Sequence, residues 1–369
     1  MKPFEPEPLP IGSIDWAALI TQIGRANRAL AGYEGVLYGV PNPDVLLSPL
    51  TMQEAVLSSR IEGTQAEMED VYKFEAGEGL VGKEQQHDIQ EIINYRQALR
   101  RAEKLLKGKP LCLNTILELH AILLDSVRGH NKSRGHFRTT QNWIGTENTP
   151  IEQAEFVPPV PLRVLEFLDN WEKYYHAEER DPLVQMAIVH AQFEIIHPFI
   201  DGNGRIGRIL IPLFLYEKKL LSRPNFYLSA YLEAHRDEYV QRLRALGRRG
   251  SWTQWVQFFL TAIDVQAQAN TAQAKAIQDL YERLKKQIIE LTRSQYAVPM
   301  LDRLFVKPVF RSNDLTSRKD MPSTQMVMTM LRSLREAGVL KVVREGSGRR
   351  PQILAFSELL NLCEGKKVF

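Results

Sequence analysis

Residues 197–208, HPFIDGNGRIGR, place a proline and two glycines, Gly202 and Gly204, between two stretches that have helical apolar spacing. Apolar residues recur at that spacing over residues 162–196 before the loop, and after it at Ile206, Ile209, Leu210, Leu213 and Phe214. Such spacing buries one face of a helix in a core. The sequence therefore predicts two core helices joined by a short glycine-rich loop, within a fold that is mainly α-helical.

The start of the second helix has the composition of an anion site. Gly202 and Gly204 lack Cβ atoms, so their backbone N–H groups can approach an anion closely, and Asn203 suits a helix start. Arg205 and Arg208 add two cations at the positive end of the helix dipole. The P-loop and dinucleotide-binding patterns are absent from this stretch. We therefore predict a phosphate site of another kind.

Two further residues of the loop carry reactive groups. His197 precedes Pro198, where a helix cannot continue, so its imidazole can project toward the phosphate site. A histidine in that position is suited to act as a general base, because its pKa lies near the working pH. Asp201 is the one carboxylate of the loop, and placed against a triphosphate it suits Mg²⁺.

This stretch resembles the signature of the Fic (filamentation induced by cAMP) family, HPFx[DE]GNGRxxR, and agrees with it at every fixed position. The preceding HAQFEIIHPF is also similar to that family, as is TTQNWIG, which would belong to a β-hairpin flap. The resemblance implies transfer of AMP from ATP to a Ser, Thr or Tyr hydroxyl of a target protein or of the chain itself, with release of pyrophosphate.

The resemblance also implies a role for each residue of the motif. His197 would be the base, Asp201 would hold Mg²⁺ between the α- and β-phosphates, and Phe199 would anchor the loop. The remaining positions are an anion hole and two phosphate-binding cations, formed by Gly202, Asn203, Gly204, Arg205 and Arg208. Tyr227 and Tyr231 would line an adenine pocket, although packing in the core explains these two tyrosines equally well.

A second motif, SSRIEG at residues 58–63, matches the inhibitory pattern [ST]xxxE[GN] of the Fic family. A glutamate in the last turn of a helix opposes the helix dipole by about 0.3 to 1 kcal/mol. The resemblance implies that Glu62, one turn after Ser58, pairs with Arg208 and denies the ATP γ-phosphate its contact. A surface pair contributes only about 0 to 1 kcal/mol, whereas breaking a buried pair costs about 3 to 5 kcal/mol. Effective inhibition needs the stronger kind of pair, so we predict that Glu62 and Arg208 meet in a largely water-excluded site.

The patterns along the chain predict four consecutive regions. These are an N-terminal helical region with the inhibitory motif (1–110), a Fic catalytic domain (111–265), a helical linker (266–294) and a winged-helix domain (295–369). In the last region a helix over residues 323–337 precedes two strand-like runs joined by GSGRRP, with Arg349 and Arg350 at the tip of the wing. A small docking module of helices and a β-hairpin fits the same pattern.

The distribution of charge along the chain indicates what kind of partner the protein could bind. Residues 293–369 hold 14 Lys and Arg against 7 Asp and Glu, so this region carries +7 of a chain whose net charge is +3. A basic region of this kind points to an anionic partner such as DNA. Two rival functions therefore stand beside AMP transfer: a DNA-binding regulator whose Fic domain senses nucleotide, and an enzyme that removes AMP, with Glu62 positioning the water.

The remaining composition indicates the surroundings of the protein. The two cysteines, Cys112 and Cys363, are too few for a disulfide framework or a cysteine-rich zinc site. No stretch has the roughly 18 consecutive apolar residues of a membrane span, and the opening MKPFEPEPLP does not resemble an export signal. We expect a cytoplasmic enzyme without a membrane partner, and a homodimer stays open.

Overall fold

The computed structural model of the protein describes residues 2–78, 82–125, 133–145, 150–246, 248, 250–316, 320–348 and 350–368. The chain forms two compact units, each assembled from separated segments. Unit 1 comprises Met1–Glu34, Leu57–Thr64 and Ile93–Ala269, and unit 2 comprises Gly35–Val56, Gln65–Ile92 and Asn270–Phe369. The division into four consecutive regions stays a prediction.

Helices make up most of the described chain, which confirms the mainly α-helical fold. In chain order they are α1 (Trp16–Gly39), α2 (Pro43–Leu46), α3 (Ser48–Ile61), α4 (Met68–Glu75), α5 (Lys83–Leu106), α6 (Leu113–Leu123), α7 (Val164–His176), α8 (Pro182–Ile196), α9 (Asn203–Glu217), α10 (Ser229–Ala234), α11 (Arg236–Ala245), α12 (Ser251–Thr292), α13 (Ala297–Val306), α14 (Thr324–Glu336) and α15 (Ser357–Glu364). The strands are β1 (Val309–Arg311), β2 (Lys341–Arg344) and β3 (Ile353–Ala355). Within the described ranges, no helix combines the length and the apolar character needed to cross a bilayer.

Helix α8 lies in the core of unit 1 because it is apolar on nearly every side. Its residues 183–193 are all buried, and it packs against α7 and α9. Asp181 caps its N-terminus, where the carboxylate accepts hydrogen bonds from the N–H groups of Leu183 and Val184 at 2.9 and 3.0 Å. The end of α8 is therefore held at a defined place, and the loop that follows starts from a rigid support.

The loop between α8 and α9 begins and ends with a left-handed backbone. His197 takes φ 48° directly before Pro198, which disfavours a helical residue at that position. Gly202 takes φ 81°, where a side chain would be strained. Helix α9 starts at the next residue, so the two core helices predicted around this loop are confirmed.

In unit 2 the C-terminal elements form a small antiparallel sheet with strand order β1-β3-β2. The helix expected over residues 323–337 is α14, whose N-cap Ser323 accepts a hydrogen bond from the N–H of Met326. The two expected strand-like runs are β2 and β3, whereas β1 was not predicted. Arg349 lies outside the described residues, and Arg350 pairs with Ser347 near the end of the hairpin. The winged-helix identity of this region stays a prediction.

The β-hairpin expected between α6 and α7 is present as one antiparallel bridge, between Ile144 and Phe156. The N–H of Ile144 donates to the carbonyl of Phe156 at 2.8 Å, and the carbonyl of Ile144 accepts from the N–H of Glu155 at 2.8 Å. Residues 146–149, where the turn would lie, are outside the described residues. We call residues 139–145 and 150–157 the flap.

Candidate active site

Unit 1 contains a cavity of about 740 Å³. Its walls come from the end of α3, the flap, the end of α8 with the loop that follows, the start of α9, and α11. Five of the predicted site residues border it: Glu62, His197, Asp201, Gly204 and Arg208. The inhibitory motif and the glycine-rich loop, which are far apart in sequence, therefore share one cavity.

The imidazole of His197 is oriented by the main chain of its own helix. Its Nδ1 lies 3.2 Å from the carbonyl oxygen of Glu194. A carbonyl only accepts, so Nδ1 carries the proton and Nε2 keeps its lone pair. Burial is the main cause that lowers the pKa of His197 to about 4. The ring is therefore neutral near pH 7 and able to accept a proton at Nε2.

Arg138, which no sequence pattern indicated, holds the backbone around His197. Its side chain is 2% exposed, and burial lowers its pKa to about 10. It donates to the carbonyls of His197 at 2.8 Å, Pro159 at 2.5 Å, and Ile196 and Thr140 at 3.4 Å. The acceptors come from α8, the loop, the flap and the segment just after the flap, so only the assembled fold reveals the role of this arginine.

The shape of the loop depends on contacts around Phe199. The amide of Asn203 accepts from the N–H of Phe199 at 2.8 Å and donates to its carbonyl at 2.9 Å. The buried Phe199 ring stacks on His120, with centroids 3.7 Å apart. His120 accepts from the N–H of Gly135 at Nδ1, so its Nε2 donates to the carbonyl of Asp201 at 3.0 Å. Side chains thus fix the loop from both sides.

Asp201 lies at the edge of the cavity with 32% of its side chain exposed. Its Oδ1 accepts from the N–H of Gly202 at 2.6 Å and pairs with Arg205 Nη2 at 3.2 Å. Arg205 is only 4% exposed. Of the residues predicted for the anion hole and the phosphate contacts, Gly202, Asn203 and Arg205 do not border the cavity. The direct contact predicted between Arg205 and phosphate therefore stays a prediction.

Asp201 also meets the requirement for a magnesium ligand. The described residues contain no group of three or more His, Cys, Asp or Glu side chains arranged around a metal position. Mg²⁺ bound with a nucleotide needs only one or two protein carboxylates, because phosphate oxygens and water supply the other ligands. The part-exposed carboxylate of Asp201 fits that donor set.

Glu62 reaches the N-terminal end of α9. Its Oε1 lies so close to Gly204 that a Cβ atom at this position would overlap it. The first N–H groups of a helix have no partner within the helix and carry the positive end of its dipole. The carboxylate of Glu62 therefore lies at a position that suits an anion such as a phosphate group.

The same carboxylate pairs with Arg208, with 2.6 Å between Oε1 and Nη2. Arg208 also donates from Nε to Ser58 Oγ at 2.8 Å and from Nη2 to the Ser58 carbonyl at 2.9 Å. Arg208 is 2% exposed and Ser58 is fully buried, but the Glu62 side chain is 39% exposed. The expected exclusion of water therefore holds for the cation alone, because more than a third of the Glu62 side chain is exposed.

The two charges stabilise each other. Burial alone would raise the pKa of Glu62, but the charges of Arg208 and Arg205 outweigh it, so the pKa lies below its usual range. Burial would also lower the pKa of Arg208, but the charge of Glu62 outweighs it and the pKa is raised. Both groups are therefore ionised at neutral pH.

A chain of hydrogen bonds supports Arg208 from behind. His190 Nδ1 lies 3.2 Å from the carbonyl of Gly207 and must donate to it. Its Nε2, 2.9 Å from the Tyr239 hydroxyl, then accepts from that hydroxyl. The oxygen of Tyr239 in turn accepts from Arg208. Burial lowers the pKa of His190 to about 3, so this chain stays neutral apart from its arginine.

Glu194 is a second carboxyl group near Arg208. It lies against Gly207, where a Cβ atom would overlap its Oε1. Within the described part of the chain, this buried oxygen has no hydrogen-bond partner. Burial raises the pKa of Glu194 to about 8, although the charge of Arg208 acts in the opposite direction. At pH 7 the raised pKa favours the protonated form of Glu194, which competes with Glu62 for the arginine less than a carboxylate would.

The structure does not bring Tyr227 and Tyr231 to this cavity. Tyr227 is 8% exposed, and its hydroxyl accepts from Asn225 Nδ2 at 3.1 Å. The ring of Tyr231 stacks on His235, with centroids 4.0 Å apart. Both tyrosines precede α11, and the tyrosine that borders the cavity is Tyr239, from the first turn of that helix.

Two family models match the sequence. The model of the Fic/DOC family N-terminal region matches residues 20–104, and that of the Fic/DOC family matches residues 110–215. Together they cover more than half of the chain. The second match includes the whole glycine-rich loop, and the first includes the inhibitory motif.

Curated proteins with similar sequences are named adenylyltransferases. Protein adenylyltransferase fic-1 of Caenorhabditis briggsae is 32% identical over 149 residues, which are 38% of this chain and 27% of that protein. A probable protein adenylyltransferase of Aquifex aeolicus is 27% identical over 203 residues, which are 53% of this chain and 58% of that protein. The chain therefore spans less than two thirds of either relative.

A solved structure has a similar fold over nearly the whole chain. It is a Fic family protein from Desulfovibrio desulfuricans, with a TM-score of 0.57 and 20% sequence identity. The match covers 96% of this chain and 98% of that one. At this identity the likeness shows a shared fold.

Proposed function

The chain belongs to the Fic/DOC family, and from that premise we propose that it is a protein adenylyltransferase, which moves AMP from ATP to a hydroxyl side chain of a protein. The observation that carries the proposal is the meeting, in one cavity, of a neutral His197 with the anion position at the start of α9. The names of the curated relatives support the same reaction.

In the proposed reaction the hydroxyl oxygen of the target attacks the α-phosphorus of ATP. The hydroxyl proton passes to Nε2 of His197, the bond from the α-phosphorus to the bridging oxygen breaks, and pyrophosphate leaves. The depressed pKa keeps the imidazole unprotonated before the transfer. The hydrogen bond from Nδ1 to the Glu194 carbonyl holds the ring in place and stabilises the imidazolium that forms.

The phosphates would lie where Glu62 lies in this structure, against the start of α9 and Arg208. Arg205 keeps Asp201 in position through their ion pair, and Asp201 would hold Mg²⁺. Bound there, the ion would neutralise the negative charge of the phosphates. Because the carboxylate of Glu62 and a phosphate cannot share one position, we propose that Glu62, with Ser58, inhibits the enzyme in the state described.

The exposure of Glu62 favours a second candidate reaction, the hydrolytic removal of AMP from a modified protein. A carboxylate that is 39% exposed and borders the cavity can orient a water molecule toward a bound phosphate ester. In this reaction Glu62 would be required for activity instead of suppressing it. The effect of replacing Glu62 therefore separates the two candidates.

The rival function, a DNA-binding regulator that senses nucleotide without turnover, has its support in the +7 charge of residues 293–369. The exposed start of helix α14 offers Thr324 and Gln325, which are uncharged, and this weakens the case for base readout. The charge of the region favours an anionic partner without specifying a DNA sequence.

Mass spectrometry of the purified protein incubated with ATP and Mg²⁺ tests the proposal. A mass increase of one AMP on the protein, or on an added target, that is absent in His197→Ala supports AMP transfer. Release of AMP from a modified protein, lost on replacing Glu62, supports removal instead. Retention on DNA that weakens with salt, without any covalent label even in Glu62→Gly, supports the regulator and contradicts the proposal.

A further inference from the structure

The C-terminal end of α3, which carries the inhibitory segment Leu57–Thr64, closes in a glycine-ended turn. Gly63 takes φ 103°, and its N–H donates to the carbonyl of Arg60 at 2.9 Å. The N–H of Thr64 donates to the carbonyl of Ser59 at 3.2 Å. This pair of bonds is the Schellman motif, and it satisfies two of the last four carbonyls of the helix.

Arginines from elsewhere in unit 1 take the other two carbonyls. The carbonyl of Ser58 accepts from Arg208 at 2.9 Å, and the carbonyl of Ile61 accepts from Arg236 Nε at 3.0 Å. Arg236 is the first residue of α11 and borders the cavity. Two cations therefore bind the C-terminal end of α3, where their positive charges also interact favourably with the negative end of the helix dipole.

The two arginines differ in what they bind. Arg208 pairs with the carboxylate of Glu62, at the position proposed for a phosphate, so nucleotide would compete for its contacts. Arg236 binds the main chain one residue before Glu62. In the described part of the chain it makes no second hydrogen bond and no ion pair. Its hold on the segment is therefore independent of the carboxylate.

From this geometry we infer that Arg236 is a positioning residue for the inhibition: it fixes the main chain at the end of α3 so that Glu62 meets Arg208. The inference rests on the proposed function only where it treats Glu62 as inhibitory. The mechanical part, that Arg236 holds the segment, can be tested without any activity.

Loss of Arg236 should loosen the segment without freeing it. The carbonyl of Ile61 would lose a charged donor, but Arg208 would keep its contacts with Ser58 and Glu62. A hydrogen bond from a charged group is a strong interaction, and partial exposure to water weakens it. We therefore expect an effect of about threefold to tenfold on the opening of the segment.

Hydrogen–deuterium exchange of the full chain tests the mechanical part. The amides of Gly63 and Thr64 are bonded within the segment, so Arg236→Met should raise their exchange rate by about threefold to tenfold. Arg242→Met is the matched control, because Arg242 lies on the same helix and pairs with Glu238. Unchanged exchange in Arg236→Met, or equal acceleration in both variants, would overturn the inference.

The transfer assay tests the link to inhibition. Arg236→Met should transfer AMP from labelled ATP faster than the wild type and more slowly than Glu62→Gly. Arg236→Lys should recover part of the inhibition. The double variant should match Glu62→Gly alone. If the double variant, Arg236→Met with Glu62→Gly, binds a non-hydrolysable ATP analogue more weakly than Glu62→Gly does, then Arg236 contributes to nucleotide binding and the inference is wrong. If Glu62→Gly transfers no AMP, the proposed function fails, while the exchange experiment still decides the role of Arg236.

Discussion

Arg208 makes two hydrogen bonds to Ser58, one to the hydroxyl and one to the main-chain carbonyl. Together with the ion pair to Glu62, three acceptors from the end of one helix converge on a single guanidinium. Arg208 therefore binds a hydroxyl and a main-chain carbonyl of the segment as well as its carboxylate. A phosphate group at the position of the Glu62 carboxylate has to replace the ion pair with Arg208.

Replacing Glu62 with Gly should increase AMP transfer. The pair joins a buried cation to a carboxylate that is 39% exposed, so its strength should lie between that of a surface pair and that of a buried one. We expect an increase of about tenfold, measured as transfer of label from ATP. Glu238→Gln, which removes an exposed partner of Arg242, should leave the rate unchanged. A rate for Glu62→Gly equal to the wild type would remove the inhibitory role.

Ser58→Ala should activate more weakly than the loss of Glu62. It removes one neutral acceptor worth about 1 kcal/mol and leaves the carbonyl contact to Arg208 intact, so an increase of up to about fivefold is expected. Ser59→Ala is the matched control, because Ser59 is equally buried and its hydroxyl has no hydrogen-bond partner among the described residues. Equal rates for the two alanine variants would contradict a specific role for the Ser58 hydroxyl.

The base should keep its activity well below the pH at which an ordinary histidine is protonated. Burial lowers the pKa of His197 from 6.5 to about 4, so the imidazole should stay neutral between about pH 5 and pH 8. In the activated Glu62→Gly protein, kcat should fall on the acid side of the pH profile only as the pH approaches 4. His197→Ala should show no transfer. An acid-side inflection near pH 6.5 would show that the imidazole is solvated during the reaction.

Glu194 should make the folded protein less stable as the pH rises. Its pKa is raised by burial from 4.5 to about 8, so the folded chain keeps a proton that the unfolded chain releases between these values. Stability contributed by that proton is present below pH 4.5 and is lost progressively toward pH 8. The melting temperature should therefore fall less between pH 5 and pH 8 in Glu194→Gln than in the wild type. Identical slopes in calorimetry would show that Glu194 is solvated.

Arg138→Met should impair both stability and transfer. It leaves carbonyls of His197, Ile196 and Pro159 buried without their donor, and the cost should be about 3 kcal/mol or more in the free energy of unfolding. Because these carbonyls surround the base, transfer by the folded fraction should also fall. Arg138→Lys should recover part of the stability, as seen in denaturant titrations. Full activity of folded Arg138→Met would mean that the loop is held by other contacts.

Much of the site follows from local sequence. The apolar spacing and glycines around residues 197–208 predicted where two helices meet, and the spacing of Ser58 and Glu62 placed these two residues one turn apart near the end of a helix. These features depend on residues that are close together in the sequence, so a sequence pattern can reveal them. The pairing of Glu62 with Arg208 came from the family resemblance, since no local pattern relates residues 146 positions apart.

The supporting residues could not be predicted in the same way. Arg138, Arg236 and Tyr239 act through backbone atoms or side chains that only folding brings near, and their own neighbours in sequence carry no signal. The resemblance assigns Tyr227 and Tyr231 to an adenine pocket, with packing in the core as an equal alternative, and neither residue borders the cavity. The water-excluded site expected for the pair followed from the strength that effective inhibition needs, whereas the side chain of Glu62 is 39% exposed.

The proton on His197 is assigned by a peptide carbonyl of the preceding helical turn, that of Glu194. Because the acceptor is a main-chain carbonyl, the contact does not depend on which side chain stands at position 194. A substitution there should leave the proton on Nδ1, provided that the helix keeps its last turn.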